Sequence, residues 1–567
     1  YGELERIRRD GFTQEEFDFV RTQFLRSGKQ LYETRDERKS DTFAQECMNN
    51  YVKNTPIFSA KHRQAINQLM LGKMTLQEVN EMINKLVTLE NNVLVISAPE
   101  RIKESLPKAE QMANFFSWVR NIKLDTYEEE KVDKPLISAQ IAPGAIVKTE
   151  KGIYGSTEWT LQNGIRVVAL PTTYSRNQIQ MDGQATGGLS MLPDKDYFTG
   201  SMLAQVANMS GLGGFNTEQL RKVLAGKLVT VQSGIGRFSS EIAGSSAKSD
   251  VETMLQLTYL SFMKPNFDRE RFDVMLEANR LNLVNSAKTP GFVLNKALNK
   301  AIYGDNPRTQ ISTEETLKSI DFGKMPEMYR HFFTDAAGNY TFYFLGDIDL
   351  ETLKPLVEKY LGGLPGGTQK LSSKDDGVRI LSGVKKESLN VPMQTPKSLI
   401  SFTYTGNWNY NQPNSLIMSM LSSCLQTRYT QTIREDKGGT YGVSVNGSLS
   451  RQPITSYRLN VSFQTDPAKV QSLMEIVQAE LARIAEKGPE TEDYNKNIEY
   501  WRKSQPESIK NNQTWLAYLQ NYYTWGEDWN VDYNELLKKV TPESVKELAR
   551  KILDDGNLKQ IVVSPEK

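Results

Sequence analysis

The stretch TPESVKELARKILDDGNLKQIVVSPE, residues 541–566, has a second copy, TLQEVNEMINKLVTLENNVLVISAPE, at residues 75–100. In each copy a threonine, Thr541 or Thr75, stands at the N-cap of an amphipathic helix whose apolar residues recur three and four positions apart. A short loop and an apolar or alternating strand that ends before a proline follow the helix. A unit that closes with a helix and then a strand predicts an α+β fold.

The repeat extends upstream of this helix and strand. ELERIRRDGFTQEEFDFVRTQF, from Glu3, resembles ELARIAEKGPETEDYNKNIEYW, from Glu480, and two matched segments in the same order indicate an internal duplication. A third, weaker copy of the ending predicts a strand at 340–345. Residues 1–130 match only the second part of the unit at 385–567, so we expect the first part of the opening unit to be missing.

Two polar stretches that contain proline or glycine separate the repeated units. They predict linkers at 131–150 and 366–384. The predicted domains are the second part of an incomplete α+β domain at 1–130, a complete α+β domain at 151–365 and a C-terminal α+β domain at 385–567.

The composition excludes several classes of protein. The 567 residues carry 69 basic and 68 acidic side chains, a net charge of +1, so no bulk charge draws the chain to nucleic acid or to an anionic membrane. No apolar run approaches the roughly 20 residues that cross a bilayer. Cys47 and Cys424 lie far apart and His62 and His331 each stand alone, so neither a disulfide framework nor a self-contained zinc site is expected. We expect a soluble globular protein without a nucleic-acid partner.

The middle domain carries a series of phrases that together resemble a known family. STEWTLQNGIRVVALPT predicts two strands joined by a hairpin turn at Asn163 and Gly164, and SGLGGFN, LAGK, IAGSS, DVETMLQLTYLSF and FLGDID follow it. This order resembles the pitrilysin/insulinase family of zinc metallopeptidases, peptidase family M16, and above all the second, non-catalytic half of its long members. The resemblance covers essentially the whole chain. It implies that residues 1–130 are the end of the catalytic half, that 151–365 is a non-catalytic domain and that 385–567 is the domain with the substrate-facing arginine and tyrosine. It implies repeated pitrilysin-type domains, each an antiparallel-rich sheet packed by helices, that close around a chamber.

The active half of that family carries an inverted zinc motif, H-x-x-E-H, on one helix. The two histidines share a helix face and bind Zn²⁺, while the glutamate takes a proton from the zinc-bound water. The comparable helix here reads FTGSMLAQVANM, with Ser201, Ala204 and Gln205 in the closest register. None of the three can supply this chemistry. The resemblance thus implies Zn²⁺ in the full-length enzyme, held by ligands outside this chain, and no metal or cleavage in this chain alone.

The segment TIREDKGGTYGVSV, residues 432–445, places Arg434 seven positions before Tyr441 across two glycines. Its residues alone predict a helix end followed by a strand. In the family, an arginine and a tyrosine of the last domain reach toward the substrate backbone and the developing oxyanion. The resemblance gives these catalytic roles to Arg434 and Tyr441, since a guanidinium and a phenol can both donate to such oxygens.

Two more segments are open to two interpretations each. GQATGGLS is either a glycine-bearing strand edge that would hold substrate by β-addition or a strand that ends in a loop. In the first interpretation the candidate substrate-binding residues are Gly187, Gly188, Leu189 and Ser190. The aromatic run WLAYLQNYYTWGEDWN, residues 515–530, is typical of core or interdomain packing and less often of a peptide-binding chamber.

The leading hypothesis is a C-terminal, zinc-free portion of a zinc metalloendopeptidase that cleaves peptides or unfolded polypeptides in a closable chamber. Its partners would be an N-terminal catalytic half and peptide substrates. Two alternatives stay open, namely a separate non-catalytic subunit that pairs with a catalytic chain, and a non-proteolytic binding or assembly module. Long bacterial relatives of this kind are commonly exported, so a periplasmic or otherwise exported location is expected.

Overall fold

The structure of the protein is a computed structural model that describes residues 1–88, 93–96, 98, 100–125, 132, 134–435, 440 and 442–566. It has three parts in chain order. A helical part comes first, a domain around a seven-stranded sheet follows, and a domain around a five-stranded sheet ends the chain. No helix in the described ranges has the length and apolar character needed to cross a membrane.

The first part consists of helices among the residues described before 126. They are α1 (Gly2–Asp10), α2 (Gln14–Glu33), α3 (Ser40–Lys53), α4 (Ala60–Lys73), α5 (Leu76–Leu86) and α6 (Ala109–Asn121). The predicted helix at 75 is α5, and it begins with a capping box in which the Thr75 hydroxyl accepts the Glu78 N–H.

The strand predicted to follow α5 is not formed over 93–96. In the matching copy at the end of the chain this strand lies between two neighbours, whereas no described strand lies beside 93–96. A single strand has no hydrogen-bonding partners and is unstable in water, which explains the difference. Residue 97 lies outside the described residues.

The middle domain contains a seven-stranded sheet in the order β1-β2-β3-β7-β4-β6-β5. Its strands are β1 (Ile146–Lys151), β2 (Thr157–Leu161), β3 (Arg166–Pro171), β4 (Ile179–Thr186), β5 (Val229–Ile235), β6 (Ser239–Ser246) and β7 (Thr341–Gly346). Its helices are α7 (Tyr197–Met209), α8 (Thr217–Val223), α9 (Val251–Met263), α10 (Arg269–Ser286), α11 (Pro290–Tyr303), α12 (Glu314–Lys318), α13 (Met325–Phe332) and α14 (Leu350–Leu356). The predicted hairpin at Asn163 and Gly164 joins β2 to β3, with Gly164 at a φ of 92° that favours glycine.

The C-terminal domain contains a five-stranded sheet in the order β10-β11-β9-β12-β8. Its strands are β8 (Lys385–Val391), β9 (Ser398–Gly406), β10 (Val443–Ser450), β11 (Ser456–Thr465) and β12 (Leu558–Pro565). Its helices are α15 (Gln412–Tyr429), α16 (Val470–Lys487), α17 (Thr491–Ser508), α18 (Asn512–Trp525), α19 (Tyr533–Leu537) and α20 (Pro542–Asp554), and a π-helical segment (Thr430–Glu435) extends α15.

The two sheets share one topology, which confirms the predicted α+β, antiparallel-rich fold of repeated domains. The order β3-β7-β4-β6-β5 in one sheet matches β8-β12-β9-β11-β10 in the other. In both, the first two strands pair in parallel and the others pair antiparallel. Strands β1 and β2 are additions to the middle domain, and β1 takes up residues 146–150 of the predicted first linker.

Each domain buries an apolar core between one face of its sheet and its own helices. In the middle domain Val167, Phe342, Leu203 and Phe262 are fully buried together. In the C-terminal domain Ile400, Val461, Leu421 and Leu481 form the corresponding core. The alternation of inward and outward residues along each strand leaves the other face of each sheet to be covered from elsewhere.

The two domains cover these outer faces for one another. Helix α18 of the C-terminal domain lays Leu516 and Leu519 on Val168, Leu170, Tyr343 and Leu345, which lie on β3 and β7. Helix α11 of the middle domain lays its apolar face on Val391, Ile561 and Val563, which lie on β8 and β12. The aromatic run at 515–530 therefore serves interdomain packing, and the two domains form a reciprocal pair.

Candidate functional site

Helix α7 holds the residues that stand where the zinc motif is expected. Leu203 and Val206 face the core, and Ser201 and Gln205 lie on the exposed side. The Ser201 hydroxyl donates to the Phe198 carbonyl, 2.8 Å away, as an ordinary helix contact. Ser201, Ala204 and Gln205 offer neither an imidazole nor a carboxylate, so they do not fit a catalytic zinc ion.

No other part of the described chain replaces that motif. Within the described ranges, no group of three or more His, Cys, Asp and Glu side chains lies close enough together to hold a metal ion. Asn208, one turn after Ala204, binds both the N–H and the carbonyl of Ser233 on β5 at 3.0 and 2.9 Å. Helix α7 is thus fixed beside the edge strand of its sheet by amide hydrogen bonds.

The glycine-bearing segment Gly187–Ser190 follows β4 and is tied to the turn between β5 and β6. The N–H groups of Gly187, Leu189 and Ser190 donate to the carbonyls of Phe238, Gly236 and Arg237 at 2.8, 3.0 and 2.7 Å. Gly188, Leu189 and Ser190 are buried. Gly188 allows no side chain, because a Cβ atom would meet the Gly236 carbonyl oxygen at 2.3 Å.

The second predicted linker is pinned onto the same turn. Asp376 has no exposed side-chain surface, and Arg237 donates to both of its carboxylate oxygens at 2.6 Å. Burial alone would raise the pKa of Asp376, but the hydrogen bonds and charge of Arg237 hold this pKa below the ordinary aspartate value. The Lys374 N–H also donates to the Ser190 hydroxyl at 3.1 Å. Residues 371–378 therefore form a strap over the segment Gly187–Ser190.

Arg434 lies in the π-helical segment at the end of α15, and its side chain is exposed. The π-helical segment that carries it contacts the edge strand β10. Tyr441 lies outside the described residues, so the distance between the two side chains is not defined. Their shared catalytic role stays a prediction.

A cavity of about 560 Å³ opens where the strap, the β5–β6 turn and the outer face of β10 and β11 meet. Its charged and aromatic lining includes Arg237, Tyr303, Arg379, Arg458, Lys551 and Asp555. Arg237 is paired with Asp376, Arg379 with Asp375 and Lys551 with Asp555. Among the described residues Arg458 has no carboxylate partner and donates instead to the Tyr303 hydroxyl. This guanidinium can pair with one anionic group.

Sequence reasoning missed this cavity. Its lining comes from segments as far apart as Arg237 and Asn557, which only the folded chain brings together. One signal was present in SYRLNVSF, where Arg458 alternates with apolar residues and so belongs to the polar side of a strand.

Comparisons with known proteins agree with the observed fold. Residues 319–500 match the family model described as the peptidase M16 inactive domain. A relative in Arabidopsis thaliana, "Zinc protease PQQL-like", is 23% identical over 530 residues, which are 90% of this chain and 52% of the relative. The chain spans about half the length of the curated relatives it matches.

Solved structures share the fold over the whole chain. The periplasmic protease PqqL from Escherichia coli superposes with a TM-score of 0.70 at 18% identity, covering 100% of this chain and 62% of that one. A variant of the ferredoxin protease FusC in complex with Arabidopsis ferredoxin superposes with a TM-score of 0.72 at 16% identity, with the same coverage. Residues 319–500 thus match the peptidase M16 inactive domain, and the chain as a whole is similar to PqqL-like zinc proteases in sequence and in fold.

Proposed function

We propose that this chain is the zinc-free portion of a zinc metalloendopeptidase whose zinc ligands lie on a catalytic half outside it. The chain would supply part of the wall of a closable chamber and contacts to peptide substrates. Support comes from the inactive-domain match and from helix α7, where Ser201, Ala204 and Gln205 offer no zinc ligand. Any cleavage therefore requires residues that this sequence does not provide at that helix.

The observation that carries the proposal is a difference in burial between two copies of one helix. On α20, Leu548 and Ile552 are 2% and 1% exposed. On α5, the residues at the same positions, Met82 and Leu86, are 49% and 72% exposed. An apolar helix face of this kind is stable in water only when another surface covers it.

The segment after α5 repeats the pattern. Val95 and Ile96 are 80% and 45% exposed, whereas Ile561 and Val562, their equivalents on β12, are 0% and 5% exposed. On β12 these residues are covered because β8 and β9 complete a sheet on which α11 covers Ile561 and the domain's own core covers Val562. The catalytic half is the partner we propose to supply the missing strands and to cover α5.

Two further contacts with substrate are proposed. The exposed Arg434 would donate to a peptide carbonyl, and Tyr441 would donate to the oxyanion that develops during attack. The segment Gly187–Ser190 would touch substrate only after the turn at 236–238 moves, because its N–H groups are already bound there.

The native full-length gene product decides the proposal. We expect its mass to exceed that of this chain or a catalytic chain to copurify with it, with about one zinc ion per catalytic half and cleavage of unfolded polypeptide. In that enzyme Tyr441→Phe should lower kcat more than it raises KM. A native product that holds no zinc and cleaves nothing would instead identify a binding or assembly module.

An exported location is part of the proposal. The structural neighbour from Escherichia coli is described as periplasmic, and we extend this location to the present chain. Fractionation of the source cells should recover the native protein outside the cytoplasm, and recovery with cytoplasmic markers would contradict this part.

A further inference from the structure

Helix α3 carries an apolar stripe that the described chain leaves exposed, apart from the Arg38 guanidinium, which lies over the Phe43 ring. The stripe consists of Phe43, Ala44, Cys47, Met48, Tyr51 and Val52. All six side chains are exposed, and Tyr51 reaches 91%. Large apolar side chains that line up on one helix face mark an interaction surface rather than scattered surface residues.

The pattern of α3 repeats that of α11 and α18. Each of the three helices has 14 residues, and each follows a longer helix of the repeated unit, α2, α10 or α17. All three carry apolar residues at the fourth, fifth, eighth and twelfth positions. These residues are Phe43, Ala44, Cys47 and Tyr51 in α3, Val293, Leu294, Ala297 and Ala301 in α11, and Trp515, Leu516, Leu519 and Tyr523 in α18.

The two described equivalents have the same kind of occupant. Helix α18 packs on β3 and β7, the parallel strand pair of the middle domain. Helix α11 packs on β8 and β12, the parallel strand pair of the C-terminal domain. In both cases the helix leaves its own domain and covers the outer face of another sheet.

Helix α3 has no such face within the described chain. The outer faces of both described sheets are already covered, one by α18 and the other by α11. The first part of the chain contributes helices alone among its described residues, so it offers no sheet of its own.

We infer that the α3 stripe docks on the outer face of a parallel strand pair in a sheet of the partner. The inference rests on the proposed function in that the partner is the catalytic half. The partner strands should carry β-branched, leucine or aromatic residues at alternate positions, as β3, β7, β8 and β12 do where α18 and α11 cover them. The docking is reciprocal in the two described cases, so the partner should also return a 14-residue helix of this pattern.

Cys47 provides a natural probe of the docking, because it lies within the stripe and is exposed, whereas Cys424 is buried. Alkylation by iodoacetamide, followed by peptide mapping, should be measured on the 567-residue chain and on the native full-length protein. We expect Cys47 to react at least about tenfold more slowly in the native protein. Cys424 should be slow in both and serves as the internal control.

The location of the docking surface is tested by a photocrosslinking residue at Met48. In the native protein the crosslink should map to a strand of the catalytic half. The same residue at Asn49, on the other side of α3, should give no such product. A crosslink from position 48 to a helix or loop, or an unprotected Cys47, would overturn the inference.

The outcomes keep the inference apart from the proposed function. A native protein that binds zinc and cleaves unfolded polypeptide while Cys47 stays fully reactive contradicts only the docking. A native protein without zinc or cleavage contradicts the proposed function, whatever the reactivity of Cys47.

Discussion

The side-chain amide of Gln520 on α18 donates a 3.2 Å hydrogen bond to Oδ1 of Asp182 on β4, so a carboxylate on one sheet meets a helix of the other domain. Burial under α18 raises the pKa of Asp182 to about 7, and the nearby charge of Glu241 adds to this effect. Asp182 and Glu241 lie on the same face of neighbouring strands, diagonally across the ladder. The junction between the domains therefore contains a group that titrates near neutrality.

We expect Asp182→Asn to stabilise the chain above pH 7. The pKa of Asp182 is higher in the folded state than in the unfolded state. In the wild type the contribution of Asp182 to the free energy of unfolding therefore falls as pH rises from about 4 to about 7. Asparagine keeps an acceptor for Gln520 and carries no charge. Urea unfolding at pH 8 should show a free energy of unfolding about 2 kcal/mol higher in the variant than in the wild type, and this difference should shrink toward zero at pH 4. A gain that is the same at both pH values would contradict the titration of Asp182.

The reciprocal packing of α18 should be a main source of coupling between the domains. Leu519 is fully buried against β3 and β7, so Leu519→Ala should cost about 2–5 kcal/mol and separate the unfolding of the two domains into two steps. Tyr522, on the same helix, is 39% exposed and provides the control, since Tyr522→Ala should leave a single transition. Differential scanning calorimetry distinguishes the two results. One sharp transition in the Leu519 variant would show that other contacts hold the domains together.

Local sequence signals predicted much of each domain. The N-cap at Thr541, the turn at Asn163 and Gly164 and the repeat itself all correspond to observed elements, because caps, tight turns and apolar periodicity act over a few residues. The prediction of a strand after α5 was wrong over residues 93–96, because a strand depends on contacts outside its local sequence. Its formation depends on neighbouring strands, and the matching sequence at β12 could not reveal whether such neighbours were present.

The candidate site was less accessible to sequence reasoning. The exchange of α11 and α18 between sheets, and the cavity at Arg458, depend on contacts between segments more than a hundred residues apart. The polar segment around Asp376 suggested a loose linker, yet a buried ion pair fixes it. An aspartate that will be buried cannot be told from a solvated one by its neighbours along the chain.

The strap should depend on the pair between Asp376 and Arg237. Asp376→Asn removes the charge but keeps the shape, leaving a half-buried guanidinium without its counterion, and should cost about 2 kcal/mol at pH 7. The pKa of Asp376 is lowered in the folded state, so the wild-type advantage should be present above pH 4 and be lost as pH falls below it.

The neighbouring residue gives a matched control for the strap. Asp375 pairs with Arg379 at the surface, and exposed pairs contribute little, so Asp375→Asn should cause no measurable change in urea unfolding. Equal losses in the two variants would mean that the strap gains nothing from burial of Asp376.

The internal repeat offers the sharpest test of the missing partner, because it supplies the same position in a covered and an uncovered setting. Ile552 on α20 is 1% exposed and Leu86 on α5 is 72% exposed. In the 567-residue chain, Ile552→Ala should cost about 2–5 kcal/mol, since it leaves a cavity in a packed core. Leu86→Ala should change the stability by less than about 0.5 kcal/mol, as expected for a surface position.

In the native full-length protein the cost of Leu86→Ala should rise toward that of Ile552→Ala, because the partner then covers α5. Thermal unfolding of both variants in both proteins measures the four values. A Leu86 variant that is as harmless in the native protein as in the chain would show that the apolar face of α5 has no partner there.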